Sequence, residues 1–360
     1  MNSSLSYYML IFNRIGDAFL RILKHRLLGV TFLMFSIVFS FGQSKQRENN
    51  PIIPEWYADP EISVFDDTYW LFPTFSGIVK KQDFIDAFSS KDLVTWKKHE
   101  KIISPKNVQW VTNELWAPAA IEKDGEYFVF FSANDIQTPE SHWWNPQKHD
   151  STEVGGIGVT VSKNPMGPYK DHIGKPLIGK VINKAQPIDQ FVFKAEDGIY
   201  YIIYGGWGKC NIGRLNNDFT SLVPFEDGKL MKDLTPENYV EGPVMFFREG
   251  RYYLMWSEGS WGKNSYRVAY GISDTPLGPF DRIATILKSD DSVATCAGHN
   301  SVLQIPRTDD WYIVYHRRPI PNEHRNHRVV CIDKMEFNDD GTIKPVKMTF
   351  KGVDMVSLKK

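Results

Sequence analysis

Residues 58–72 read "ADPEISVFDDTYWLF": an alternating apolar run, a short acidic turn, and a second apolar run opened by an aromatic pair. That order is a β-hairpin. It recurs four times, in "WAPAAIEKDGEYFVFF" (116–131), "IDQFVFKAEDGIYYIIY" (188–204), "EGPVMFFREGRYYLMW" (241–256) and "GHNSVLQIPRTDDWYIVY" (298–315). The aromatic pairs begin at Tyr69, Tyr127, Tyr200, Tyr252 and Trp311, with separations of 58, 73, 52 and 59 residues. Repetition on this scale predicts an all-β fold, a five-bladed β-propeller of four-stranded antiparallel blades. A β-sandwich explains the fivefold recurrence poorly.

A second echo supports the blades. "GVTVSKNPMGPYKD" (158–171) and "VAYGISDTPLGPFDR" (268–282) share a strand, a serine, and a Pro and Gly-Pro-aromatic turn, as outer strands of a blade would. Residues 134–156 lack strand alternation and read as a long surface loop. "NDDGTIKPVKMTFKGV" (338–353) reads as a last hairpin that completes a blade together with N-terminal strands.

Arg14, Arg21, Lys24, His25 and Arg26 precede the uncharged apolar run "LLGVTFLMFSIVFSF" (27–41), the layout of a secretory signal. Residues 1–42 are therefore expected to be a signal peptide, 43–50 a polar tether and 51–360 one propeller domain. The run is shorter than the roughly 20 apolar residues of a membrane span, so no stable span is expected after cleavage. The destination is secreted or periplasmic. Net charge is -1, which excludes an electrostatic nucleic-acid binder and predicts a neutral partner. Cys210, Cys296 and Cys331 have no metal-type spacing and read as buried thiols.

The repeat also supplies coordinates for the acids. Counting back from each aromatic pair, Asp59 lies 10 residues before Tyr69, Asp189 lies 11 before Tyr200, and Glu241 lies 11 before Tyr252. The second hairpin has Ala117 in that slot, after Trp116, and the fifth has His299 nearby. First strands of a propeller line its axis, so the three carboxylates are expected to meet at one end of the channel. Crowded, desolvated carboxyls push one another's pKa values apart, which equips one site with an acid and a base. Asp66, Asp67, Asp124, Asp197, Glu249, Asp309 and Asp310 fall in the turns at the far end and read as solvated turn acids.

At these residues the chain resembles the family 43 glycoside hydrolases, five-bladed propellers that invert configuration and act mostly on arabinofuranosides and xylosides. The resemblance runs from about Asn50 onward. It implies that Asp59 in "YADP" is the general base, Glu241 in "VEGP" the general acid, and Asp189 in "IDQFVF" the carboxylate that tunes the acid's pKa. Many members carry Pro after that Asp, where this chain has Gln190. "AGHNSV" matches the axial segment whose histidine, here His299, lies near a bound calcium or its waters. No cofactor is required by this chemistry, and a calcium would be structural or electrostatic.

Trp56, Trp116 and Trp207 flank these segments and are candidate platforms for a sugar face, with core packing as the alternative for each. Arg317 in "YHRRP" is a candidate for a sugar hydroxyl or Asp59, or a structural ion pair. Trp143 and Trp144 on the long loop are candidates for the pocket rim, and Glu258 in "MWSEG" is a rival acid. His316, His324 and His327 match no strong metal motif and read as part of a polar basic loop. The expected activity is inverting, exo-acting hydrolysis of terminal glycosides in plant-type oligo- or polysaccharides, foremost as an α-L-arabinofuranosidase. β-D-xylosidase and β-D-galactofuranosidase are the alternatives, and a non-catalytic sugar-binding propeller is the rival from another class.

Overall fold

The computed structural model describes residues 48–77, 82–134 and 155–358. The proposed signal peptide and the pair Trp143 and Trp144 lie outside them. All regular structure among the described residues is β, in five antiparallel sheets. Blade one is β1 Tyr57–Phe65, β2 Thr68–Phe75, β3 Ile85–Ser90 and β4 Trp96–Ile103. Blade two is β5 Trp116–Lys123, β6 Glu126–Ala133, β7 Gly156–Ser162 and β8 Lys170–Asp171. Blade three holds β9 Phe191–Lys194, β10 Tyr200–Tyr204 and β11 Asn211–Leu215, with both β12 Leu222–Val223 and β13 Lys232–Asp233 pairing β11. Blade four is β14 Glu241–Arg248, β15 Arg251–Glu258, β16 Arg267–Ser273 and β17 Arg282–Lys288, and blade five is β18 Thr295–Gln304, β19 Trp311–Arg318 and β20 Val329–Met335. The five-bladed propeller read from the hairpins is the fold.

The inner hairpins of blades one, two and four close through two-residue turns, Asp66-Asp67, Asp124-Gly125 and Glu249-Gly250. Both residues of each turn have positive φ, the type I′ geometry whose twist matches the flanking strands. Second strands are apolar at consecutive positions because both their faces are buried. In β2, Leu71 packs into the core shared with blade five and Phe72 into the core shared with blade two. Ile202 and Ile203 of β10 divide likewise between blades two and four. The aromatic pairs thus mark strands sandwiched between two neighbours.

Blade five has three strands of its own. The N-terminal stretch stands in for the fourth: Ile52 N donates to Val330 O at 2.9 Å, and Ile53 bridges Val330. Asn50, expected in the tether, is buried and grips β20 through Ile332, donating to its carbonyl and accepting from its amide, both at 2.9 Å. The C-terminal stretch differs from the expected hairpin. Its own pairing is a short turn around the bridge Phe337–Ile343, Asn49 N and Asn50 N donate to Lys351 O and Phe350 O at 3.1 and 3.0 Å, and Ile343 and Met348 enter the core between blades four and five. Pro345, lacking an amide proton, interrupts any ladder there.

Each first strand is irregular at its entry. Asp59, Ala117, Asp189, Gly242 and His299 have φ between +39° and +63°, and pairing slips past them in blades one, two, four and five. The twisted backbone aims each amide at the preceding blade. Ala117 N donates to Thr74 Oγ1 at 2.7 Å, Asp189 N to Ser132 Oγ at 3.2 Å, His299 N to Ser257 Oγ at 3.0 Å and Asp59 N to His316 Nδ1 at 3.2 Å. Blade three has Gly205 where the others carry Thr74, Ser132, Ser257 and His316, and there the Gly242 amide donates to the Asp189 carboxylate itself. Five stitches close the ring around its axis.

Replacing Thr74 with the isosteric valine leaves the Ala117 amide without its acceptor. Thr74→Val should cost about 1–3 kcal/mol in urea unfolding, with the far-UV spectrum unchanged. An unchanged midpoint would show that the stitch carries no stability.

Candidate active site

The count from the aromatic pairs placed three acids in one slot, and the structure moves one of them. A two-residue turn puts the left-handed residue 10 places before the pair, so the member from blade four is Gly242 and Glu241 stands one residue earlier. Its equivalents are Ala58 and Trp116, the last paired residues before the bulge. Asp59 and Asp189 occupy the bulge proper. The three carboxyls still converge, lining one cavity of about 500 Å³ with Trp116, His299, Trp261 and Arg328. That volume falls in the range of small-molecule sites, about 300–1,000 Å³.

His299 stands at the centre of the acids: its Nδ1 is 3.3 Å from Asp59 Oδ1 and 3.6 Å from Asp189 Oδ2. Burial lowers its pKa and outweighs the nearby Asp59 charge. Asp59 Oδ1 also receives Arg328 Nη1 at 3.2 Å. Burial alone would raise the Asp59 pKa, but the Arg328 charge, foremost, holds it well below the usual carboxylate range. Glu241 behaves oppositely. Burial and the Asp59 charge raise its pKa, against a 2.8 Å hydrogen bond from Tyr266 Oη and the more distant Arg328. Asp189 is raised well above its ordinary value by burial, then by Glu241 and Asp59. One ionised carboxylate therefore faces two carboxyls that resist ionisation.

Among the tryptophans, Trp116 lines the cavity and donates from Nε1 to Gln82 Oε1 at 2.7 Å. Trp56 stacks on the His327 ring at 4.7 Å, outside the lining, and Trp207 is 41% exposed and also outside it. Arg317 does not reach Asp59. Neighbouring residues of β19 alternate in direction, so while His316 meets Asp59, Arg317 turns away and donates to Thr349 O at 2.9 Å over the Phe350 ring. Its expected place is taken by Arg328. Glu258 is fully buried between Arg267 and Arg282, at 2.6 and 2.5 Å, which hold its pKa low. That double ion pair removes it as a rival acid. Gln190, where the resemblance expects Pro, braces blades two and three by accepting from Ser132 Oγ and donating to Ala117 O.

The residues missed in the sequence come from connections between second and third strands. Trp261 and Tyr266 follow β15, and Arg325 and Arg328 follow β19. Arg318, Arg325 and Arg328 all approach the Trp261 ring, at 5.5, 4.3 and 5.2 Å from its centroid. The signal was topological: these connections begin at the end of the blade where first strands enter. No grouping of three or more His, Cys, Asp or Glu among the described residues could hold a metal ion. His299 Nδ1 faces Asp59 and Asp189, and no step below runs through the calcium that the resemblance implies near this histidine.

A family model described as Glycosyl hydrolases family 43 matches residues 48–343. A β-D-galactofuranosidase of Aspergillus niger is 42% identical over 322 residues, 86% of this chain and 88% of that protein. A xylosidase/arabinosidase of Bacteroides ovatus is 26% identical, covering 86% of this chain and 99% of its own. Among solved structures, a β-xylosidase/α-arabinofuranosidase from a compost metagenome, in complex with xylotriose, superposes with a TM-score of 0.67 at 22% identity, over 83% of this chain and 97% of that one. The last shares the fold.

The raised carboxyls carry a stability signature. A carboxyl whose folded pKa exceeds its unfolded value, about 4, contributes fully below that value and loses the contribution as pH rises toward the folded pKa. Glu241→Gln and Asp189→Asn should therefore each raise the unfolding temperature at pH 7, and the gain should shrink toward pH 4. A gain independent of pH, or none, would contradict the shifts.

Proposed function

The chain belongs to family 43 of the glycosyl hydrolases and is a glycoside hydrolase; within that class we propose an inverting, exo-acting enzyme that removes terminal furanoses, β-D-galactofuranose foremost. The observation that carries the mechanism is that Asp59 and Glu241 line one cavity in environments that shift their acidities in opposite directions. Asp59, held ionised by Arg328, accepts a proton from a water as its oxygen attacks the anomeric carbon. Glu241 gives its proton to the glycosidic oxygen as that bond breaks. The attacking water and the leaving group lie on opposite faces of the sugar, so the anomeric configuration inverts, with about 6.5–9.5 Å between acid and base in such enzymes. Burial and the Asp59 charge hold Glu241 toward its acid form, and Asp189, through the Gly242 amide, is tied to the residue beside it.

The choice of sugar rests on a relative and on stereochemistry. The 42% identical protein carries the name galactofuranosidase. An α-L-arabinofuranoside has the same ring configuration and differs by lacking one exocyclic hydroxymethyl group, so it is the second substrate. The arabinofuranoside put first by sequence reasoning thus stays in play, with β-D-xylosides third because their pyranose ring differs in shape. Trp116 supplies an apolar wall for the sugar. Export to the periplasm or the medium remains part of this reading, supported by the basic and apolar pattern of residues 14–41.

Nitrophenyl β-D-galactofuranoside, α-L-arabinofuranoside and β-D-xyloside should be cleaved in that order of kcat/KM, with the inverted anomer as first product by NMR. A retained anomer would refute the mechanism, and a reversed order the specificity. Asp59→Asn should lower kcat by about 100-fold or more on every substrate. Glu241→Gln should do so for poor leaving groups and lose much less with dinitrophenyl glycosides, which need little protonation.

A further inference from the structure

Glu241 is the end of a hydrogen-bond chain that begins at a backbone amide. The His299 amide belongs to the bulge of blade five and donates to Ser257 Oγ at 3.0 Å. A backbone amide cannot accept, so that link runs one way only. Ser257 in turn hydrogen-bonds the Tyr266 hydroxyl oxygen. Tyr266 Oη, which has a single proton to give, donates to Glu241 Oε1 at 2.8 Å. A serine oxygen can accept twice, so the amide orients only the first link; the 2.8 Å contact and the packing of the ring keep Tyr266 Oη on Glu241 Oε1.

Tyr266 is held for this task. It is fully buried, its ring is stacked on His316 at 5.7 Å between centroids and 12° between planes, and it presses on Gly298. A Cβ at Gly298 would lie 2.2 Å from Tyr266 Cε1, so only glycine admits the ring. Gly298 and His316 are opposite each other across β18 and β19, and Tyr266 enters from blade four. The ring cannot rotate its hydroxyl away from Glu241.

Resting on the reading of Glu241 as the acid, we propose that Tyr266, last in a relay that runs from the His299 amide through Ser257, donates to Glu241 Oε1 and so reserves Oε2 for the catalytic proton. Tyr266 and Ser257 are positioning residues. The gain is geometric: a carboxylic acid has two equivalent oxygens, and a relay that reserves one of them presents the proton from the other in every molecule. The charged and titratable groups around Glu241 are Asp59, Asp189, Arg328, Tyr239 and Tyr266. Among the described residues only Tyr266 touches it through a hydrogen bond that favours the ionised form, so removing that bond moves the acid's titration upward.

Tyr266→Phe keeps the ring and removes the donor. It should lower kcat on poor leaving groups roughly 10- to 100-fold, the worth of a hydrogen bond to a charged group, leave KM and dinitrophenyl glycosides nearly unchanged, and shift the alkaline limb of kcat/KM to higher pH. Ser257→Ala should act in the same direction more weakly, and Ser257→Thr, which restores the hydroxyl, should recover most of the loss. Loss of equal size on all leaving groups with an unmoved alkaline limb would overturn the relay, leaving Tyr266 as packing. Full activity of Glu241→Gln on poor leaving groups would instead overturn the assignment of the acid, a separate outcome.

Discussion

The amide at each strand entry, turned sideways by a left-handed backbone residue and bonded to the blade before it, is the constraint on which the site depends. Were Asp59 in ordinary strand geometry, its amide would join its own ladder and its side chain would follow the pleat. With φ at +48°, the amide instead reaches His316 in blade five, and the carboxylate is delivered to the axis. Asp189 and His299 are placed by the same device on Ser132 and Ser257. The distances among the three are thus set by the closure of the ring and not by any local loop. A residue other than Gly or Asn with positive φ costs energy, and the interblade hydrogen bond offsets it.

The same geometry sorts the charges. Among the described residues Arg328 is the only guanidinium bonded to Asp59, and its Nε is anchored on Ser76 Oγ at 3.0 Å, so the positive charge sits beside that carboxylate. Glu241 and Asp189 feel it too, yet for both burial dominates. His316, driven down to about 3 by burial, stays neutral and acts as a flat spacer between Asp59 and Tyr266. Two carboxyls of nearly equal intrinsic acidity are thereby separated by which of them owns the arginine.

The fold was legible because the hairpins advertise it: alternation, paired aromatics and type I′ turn residues all point the same way. The acids were legible because the repeat gave them coordinates, though the one-residue offset of Glu241 was hidden by the different turn length of the hairpin used as reference. Arg328, Trp261 and Tyr266 were not legible. They lie on irregular connections with no periodicity, and what brings them together is the ring, a relation between residues far apart in the chain. Arg317 shows the complementary failure: proximity along β19 was right, and the alternation of side chains sent it to the other face.

The join at blade five has a consequence for how the protein comes into being. Ile53 pairs with Val330, and Asn50 grips Ile332, so these early residues find their partners among nearly the last of the described ones. Contacts of such sequence separation form late and slowly. Asp59 has no stitch until His316 is in place and no counter-ion until Arg328 arrives. During synthesis and folding, then, four blades can stack while the chemistry is still absent; catalytic competence switches on with the final docking event rather than growing with the length of the chain.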